Sequence, residues 1–229
     1  MASGPAADAF GAEAKRLSEV VLALDEAAFS RPTPCPPWSV AELLYHVRIG
    51  SGRISGMLAE PEPEAGPVTS AAAYFRPGQR FSPEVNQDRI EVARRGAAAL
   101  GSGSAVARDY DLAWRETRAQ VRHAPQGRLV QTRHGDRMLL AEFLRTRVLE
   151  LAVHGLDLAA GLGRPTWMTE SAAAVVTELI LPGAATARLL DEAGWDHPTL
   201  IAKATGRLPL SQPEAALLGR HGLRRLSLA

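Results

Sequence analysis

The chain predicts a mainly α-helical protein, and three observations carry that expectation. Alanine and leucine dominate its 229 residues, apolar residues make up 46% and aromatics only 5%, a composition that suits helices better than sheets. Apolar residues recur at helical spacing in one segment after another. Helix-start signals and Gly/Pro breaks punctuate those segments. The length allows one large domain, or a domain and a half, with ample apolar material for a core.

The elements follow in order. Residues 9–29 carry Phe10, Leu17, Val20, Val21 and Leu24 at helical spacing, a plain bundle helix. The stretch Arg31 to Ser39, RPTPCPPWS, contains four prolines, which forbid helix and hold the backbone extended. Ser39 with Glu42 three residues on is a capping box, opening a helix to about Leu58. Leu43, Val47 and Ile54 mark its core side, and His46 lies on that side. Residues 61–80, rich in Pro, Gly and Ala, read as a long surface loop able to cover a cleft, packed down by Phe75 and Phe81. Ser82-Pro83-Glu84 starts a helix to about Leu100. After a Gly-Ser break comes a helix over 105–123, with Leu112, Trp114 and Val121 inward and His123 as a charge on its C-terminal dipole. Residues 127–138 read as a turn with His134 exposed.

Residues 139–161 follow, LLAEFLRTRVLELAVHGLDLAAG, apolar nearly all round, which marks a buried helix. Four strong polar residues within it form a stripe: Arg147, Glu150, His154 and Asp157. Their spacings of three, four and three place them within about a quarter of the circumference. Buried charges need partners, since an unpaired one costs several kcal/mol. Glu150 and His154, one turn apart, offer two ligands to one metal. A single histidine on an apolar face is ordinarily a satisfied core residue, but this stripe lacks a third ligand, and His46 becomes the candidate.

Beyond Gly161 and Pro165 the pattern changes. Residues 167–181 read as a helix capped by Thr169, Pro182-Gly183 breaks it, and 184–194 is helical again. The run 199–211 fits a strand or a helix ending at Gly206. Residues 213–221 fit a short helix or turn, and the tail LRRLSLA alternates like a strand. The expected division is 1–165 as a metal-binding bundle and 166–229 as a small C-terminal α(+β) extension packed on it.

The totals exclude several classes. Net charge is +1, from 26 basic and 25 acidic residues, with no basic block, so no nucleic-acid partner is expected. No apolar segment spans a bilayer without charges, and the opening residues lack the pattern of a signal peptide. The single cysteine, Cys35, leaves no internal disulfide. A cytoplasmic protein is expected, monomer or homodimer.

Two stretches carry a family resemblance. PCPPWSVAELLYH resembles the Cys-Pro-x-Trp…His opening of the DinB-like, mycothiol-dependent maleylpyruvate isomerase N-terminal family. TRVLELAVHGLDLAAGLG resembles its second signature, with Arg, Glu, His and Asp at this spacing. The likeness covers roughly Phe10 to Pro165, and Thr205-Gly206-Arg207 is also similar. It implies an up-and-down four-helix bundle with a divalent metal, zinc foremost, at one end, held by His46, Glu150 and His154. Histidine stands at the Glu150 position in many other DinB-like members, which aligns this chain with the mycothiol group. Two imidazoles and a carboxylate leave a divalent cation with net +1 and an open position, the catalytic type of site, and a coordinated thiol is deprotonated outright.

The remaining candidates surround that centre. Arg147 and Asp157 orient ligands or form a buried structural ion pair, with Asp157 also able to hold a thiol cofactor. Trp38 reads first as core and otherwise as a cofactor contact. Cys35 reads as a small, half-buried residue. Arg207 is the candidate clamp for a carboxylate of substrate or thiol; Arg220, His221, Arg224 and Arg225 read as surface charges. The implied activity is thiolate attack on an electrophilic carbon with mycothiol as co-substrate. With Arg207 as the only clamp in view, an S-transferase comes first and a cis–trans isomerase of a maleylpyruvate-type acid second. A rival of another class is a non-catalytic zinc-binding regulatory bundle, with Cys35 closing the metal's fourth position.

Overall fold

A computed structural model describes residues 4–76, 82–181, 183 and 185–223. Its elements in order are α1 (Pro5–Leu22), α2 (Glu26–Phe29), α3 (Val40–Ala59), α4 (Ala71–Tyr74), α5 (Pro83–Ala99), α6 (Gly103–His123), β1 (Leu129–Gln131), β2 (Arg137–Leu139), α7 (Leu140–Leu162), α8 (Glu170–Ile180), α9 (Ala185–Ala193), α10 (His197–Ala204) and α11 (Gln212–Arg220).

Four helices make the expected bundle. α1 packs on α6 and α7, and α3 packs on the same two, so the order around the bundle is α1, α6, α3, α7. Phe10 and Leu17 of α1, Leu43, Leu44 and Ile54 of α3, Tyr110 and Trp114 of α6, and Phe143 and Leu144 of α7 are fully buried between them. α5 lies outside this ring against α3. Leu112 departs from expectation, being 68% exposed. It lies two residues from both Tyr110 and Trp114, about 200° round the helix from the face they bury.

Local chemistry sets the other differences. The first helix stops at Leu22 because Asp25 accepts from the Ala28 N–H and starts the separate turn α2. The Ser39–Glu42 capping box forms as expected. Residues 127–138 form an antiparallel hairpin rather than a simple turn, pairing Leu129 with Leu139 and Gln131 with Arg137. His134, at its tip, is half-buried rather than exposed. The loop after Glu60 is pinned to the hairpin at Val68 and Arg137, and Phe75 is buried beneath it; Phe81 lies outside the described residues. No single described helix is long and apolar enough to cross a membrane.

After α7, Gly163 takes a left-handed conformation with φ +63° and closes the helix. α8 packs on α1 and α7, and α10 packs on α8 and α7. The run after Thr199 is helical to Ala204 and ends with Gly206 at φ +77°. Among the described residues this region's regular elements are therefore all helices and the sheet precedes α7; the expected β tail beyond Leu223 lies outside them, with Arg224 and Arg225. Arg220 and His221 pair with Glu192 at the surface, 2.8 and 2.9 Å away.

Candidate metal and substrate site

α3 and α7 bring three ligand-type side chains together. The ligand atoms of His46, Glu150 and His154 lie within 4.8 Å of one another. Glu150 Oε2 stands 3.3 Å from His154 Nε2 and 3.8 Å from His46 Nε2. The imidazoles meet edge to face at 5.1 Å, and the Trp38 ring stacks on His46 at 4.7 Å. Two imidazole nitrogens and a carboxylate on adjoining helices are a donor set that could hold one divalent cation.

The other edge of His154 is held by a different group. Its Nδ1 lies 3.1 Å from Asp157 Oδ2. The same oxygen accepts from Cys35 Sγ at 3.1 Å and Arg207 Nη2 at 3.1 Å, while Oδ1 accepts from Arg207 Nε at 3.1 Å. Arg207 thus forks onto Asp157, and its Nη1 donates to the Thr205 carbonyl at 2.8 Å. It is not a free carboxylate clamp. Cys35 belongs with Asp157 and His154 rather than with His46 and Glu150. The proline loop that carries it folds back on itself, bonding Thr33 to Trp38, instead of running extended. Gly161 makes room for this loop: a Cβ there would sit 2.8 Å from the Pro32 carbonyl.

Arg147 does not pair with Asp157. Its guanidinium lies over the Phe143 ring, with Nη2 4.0 Å from Glu150 Oε1. Gly50 on α3 makes this approach possible, since a Cβ there would meet Arg147 Nη1 at 3.1 Å.

The protonation states follow from these contacts. Burial pushes His46 down to about 4, despite Glu150 beside it. Burial works against charge on His154 and Asp157 too, but their mutual bond outweighs it, helped by Cys35 and Glu150 at the imidazole and by Arg207 at the carboxylate. His154 is held well above its usual range, and Asp157 below its own. Burial likewise raises Glu150, but the two histidines and Arg147 outweigh it and keep it ionised.

Two cavities open beside this centre. The smaller, about 110 Å³, has His46 and Glu150 in its wall together with Arg53, Arg89, Arg133 and Arg147. Against four arginines the wall sets two carboxylates, Asp88 and Glu150. Burial, then the neighbouring Arg133 and Arg147, lower Arg53 to about 10. The larger, about 760 Å³, has Cys35, Trp38, Arg89, Asp157 and Arg207 in its wall.

Arg53, Arg89 and Arg133 escaped the sequence reading. Arg53 alone left a signal, lying two turns beyond His46 on the same face of α3. Arg89 comes from α5 and Arg133 from the hairpin, and no spacing connects either to His46.

The model of the mycothiol maleylpyruvate isomerase N-terminal domain matches residues 10–159. The chain belongs to that family. No curated protein matches it. Two solved structures share the fold: a mycothiol-dependent maleylpyruvate isomerase and a mutant of it. Each has a TM-score of 0.60 at 15% identity, covering 89% of this chain and 88% of the other. That share exceeds what residues 1–165 alone could supply, so the likeness of fold continues into the C-terminal helices.

Proposed function

We propose that this family member is a mycothiol-dependent cis–trans isomerase of a small unsaturated acid of the maleylpyruvate type, working in the cytoplasm. The arginine-walled cavity against His46 and Glu150 carries this reading. A transferase came first only because Arg207 was the one clamp in view. Arg207 is committed to Asp157, and four other arginines surround the space where an electrophile would meet the centre. A diacid would relieve the crowding of these like charges, and charge-assisted bonds to guanidinium are the strong kind.

The donor set fits a divalent cation, zinc foremost, on His46, Glu150 and His154, which would supply a thiolate at neutral pH by lowering the thiol's pKa. The protein's own residues do the rest. Asp157 accepts from His154 Nδ1 and so turns Nε2 toward Glu150. His154 and then Arg207 keep Asp157 ionised, and through Arg207 the region after α7 takes part in the site. Trp38 holds the His46 ring by stacking. Arg53, Arg89 and Arg133 hold the acid's carboxylates while the thiolate adds to one carbon of the double bond. The resulting single bond rotates, the same C–S bond breaks, and the trans acid leaves with no net change in atoms.

Zinc-loaded protein should convert maleylpyruvate to its trans isomer only when mycothiol is present. Arg53→Ala and Arg133→Ala should each raise KM for the acid about tenfold or more, the loss of a charged hydrogen bond of roughly 1.5–3 kcal/mol, with metal content and thiol KM unchanged. A stable S-conjugate in place of the trans acid would make the protein a transferase; full turnover without metal would overturn both.

A further inference from the structure

We propose that the two cavities divide the reactants, the larger one seating the body of the thiol co-substrate, a polyhydroxylated thiol, while the arginine-walled one takes the acid alone. This inference rests on the proposed thiol dependence and adds where, and by what chemistry, the thiol is held.

Size separates the cavities first. A space of about 110 Å³ holds on the order of ten water-sized groups, enough for a small acid. It cannot also hold a thiol built on two sugar-like rings. The 760 Å³ cavity falls within the roughly 300–1,000 Å³ that drug-sized ligands occupy.

Chemistry separates them next. The small cavity presents a concentration of positive charge. The large one mixes donors and acceptors: Asn86, Arg164, Thr166, Asp196 and Thr199 stand around an apolar floor. Of its charged residues Asp157 and Arg207 neutralise each other, and Asp196 stands against Arg89 and Arg164, so the wall carries far less net positive charge than the small one. Such alternation suits hydroxyl groups, which both donate and accept, and gives little grip on a dianion.

Connection between the cavities completes the argument. Arg89 belongs to both walls. The Trp38–His46 stack puts one ring on the large cavity and the other on the small one. A ligand seated in the large cavity therefore brings its reactive end to this partition, with the acid on the far side.

The test uses two filling substitutions at solvent-exposed positions, Ala160→Trp in the large cavity and Val92→Trp in the small one. Calorimetry with S-methyl mycothiol, whose blocked sulfur removes the thiolate, reads seating apart from turnover. The zinc-loaded wild type should bind it, and Ala160→Trp should weaken binding at least about tenfold, or 1.4 kcal/mol, while Val92→Trp leaves it within twofold. Val92→Trp should instead raise KM for the acid. No binding by wild type, unchanged binding in Ala160→Trp, or weakening confined to Val92→Trp each overturns the assignment. Normal isomerisation with unchanged binding in Ala160→Trp would remove this inference alone. Binding that follows the expected pattern with no isomerisation would remove the proposed reaction and leave the seat.

Discussion

Glu150 and Asp157 are two carboxylates on one face of α7, two turns apart, and their surroundings are opposite. Asp157 is 1% exposed, and its oxygens take four contacts from His154, Cys35 and both prongs of Arg207. Glu150 is 25% exposed, borders a cavity, and has only the imidazoles of His154 and His46, 3.3 and 3.8 Å away, and Arg147, 4.0 Å away, beside it. Both are ionised, yet only Glu150 keeps lone pairs to offer. A saturated carboxylate orients its neighbours, and an under-satisfied one beside two imidazoles is a ligand. Helical position alone does not separate the two; the partners that reach each of them do.

The largest expected effect comes from removing the under-satisfied carboxylate. Glu150→Ala should abolish stoichiometric metal binding and lower turnover by more than the roughly 10–100-fold typical of groups behind the ligands. Elemental analysis of purified variant protein, with the assay alongside, checks this. Metal retained at one equivalent would mean that the cation sits elsewhere.

Asp157→Asn sharpens the contrast. It leaves all three ligand atoms in place, so metal affinity or activity should fall only about 10–100-fold. The cost should appear in folding, because the Arg207 guanidinium loses its counter-charge in a mostly buried place. Breaking such a pair from one side costs about 3–5 kcal/mol, measurable by denaturant unfolding. The sign against pH follows from the folded carboxyl titrating below its usual 3.8. The stability it contributes is complete above that value and fades as pH falls below it, so the gap between wild type and variant should narrow in acid. A variant that loses more metal than Glu150→Ala would exchange the two roles.

How far the sequence reaches is visible in the same residues. The stripe on α7 was legible because helical geometry converts spacings of three and four into one face. The bundle was legible for the same reason, helped by the Ser39–Glu42 capping box and by glycine and proline breaks. The partner that gives Asp157 its character arrives from fifty residues away, and no local period encodes that fork. Arg53, Arg89 and Arg133 gather from α3, α5 and the hairpin, and singly each looks like a solvated charge. The hairpin itself has strands of three residues, too short for alternation to emerge. Leu112 misled because an apolar residue in a helical segment is not an inward one until its angle to Tyr110 and Trp114 is drawn.

The smallest expected effect concerns the thiol on the saturated side. Cys35 Sγ is one of three donors on Asp157 Oδ2, and the two others are stronger, charge-capable nitrogens. Cys35→Ser keeps a donor at that position, so stability should change by no more than about 1 kcal/mol, and metal content should not change. The variant decides more than its size suggests. A regulatory zinc bundle needs this sulfur as its fourth ligand, whereas a catalytic centre needs that position free for a co-substrate. X-ray absorption on the zinc-loaded protein without added thiol should show nitrogen and oxygen neighbours alone. A sulfur neighbour that vanishes in Cys35→Ser would make Cys35 a ligand, and the distinction between the two sides of His154 would fail with it.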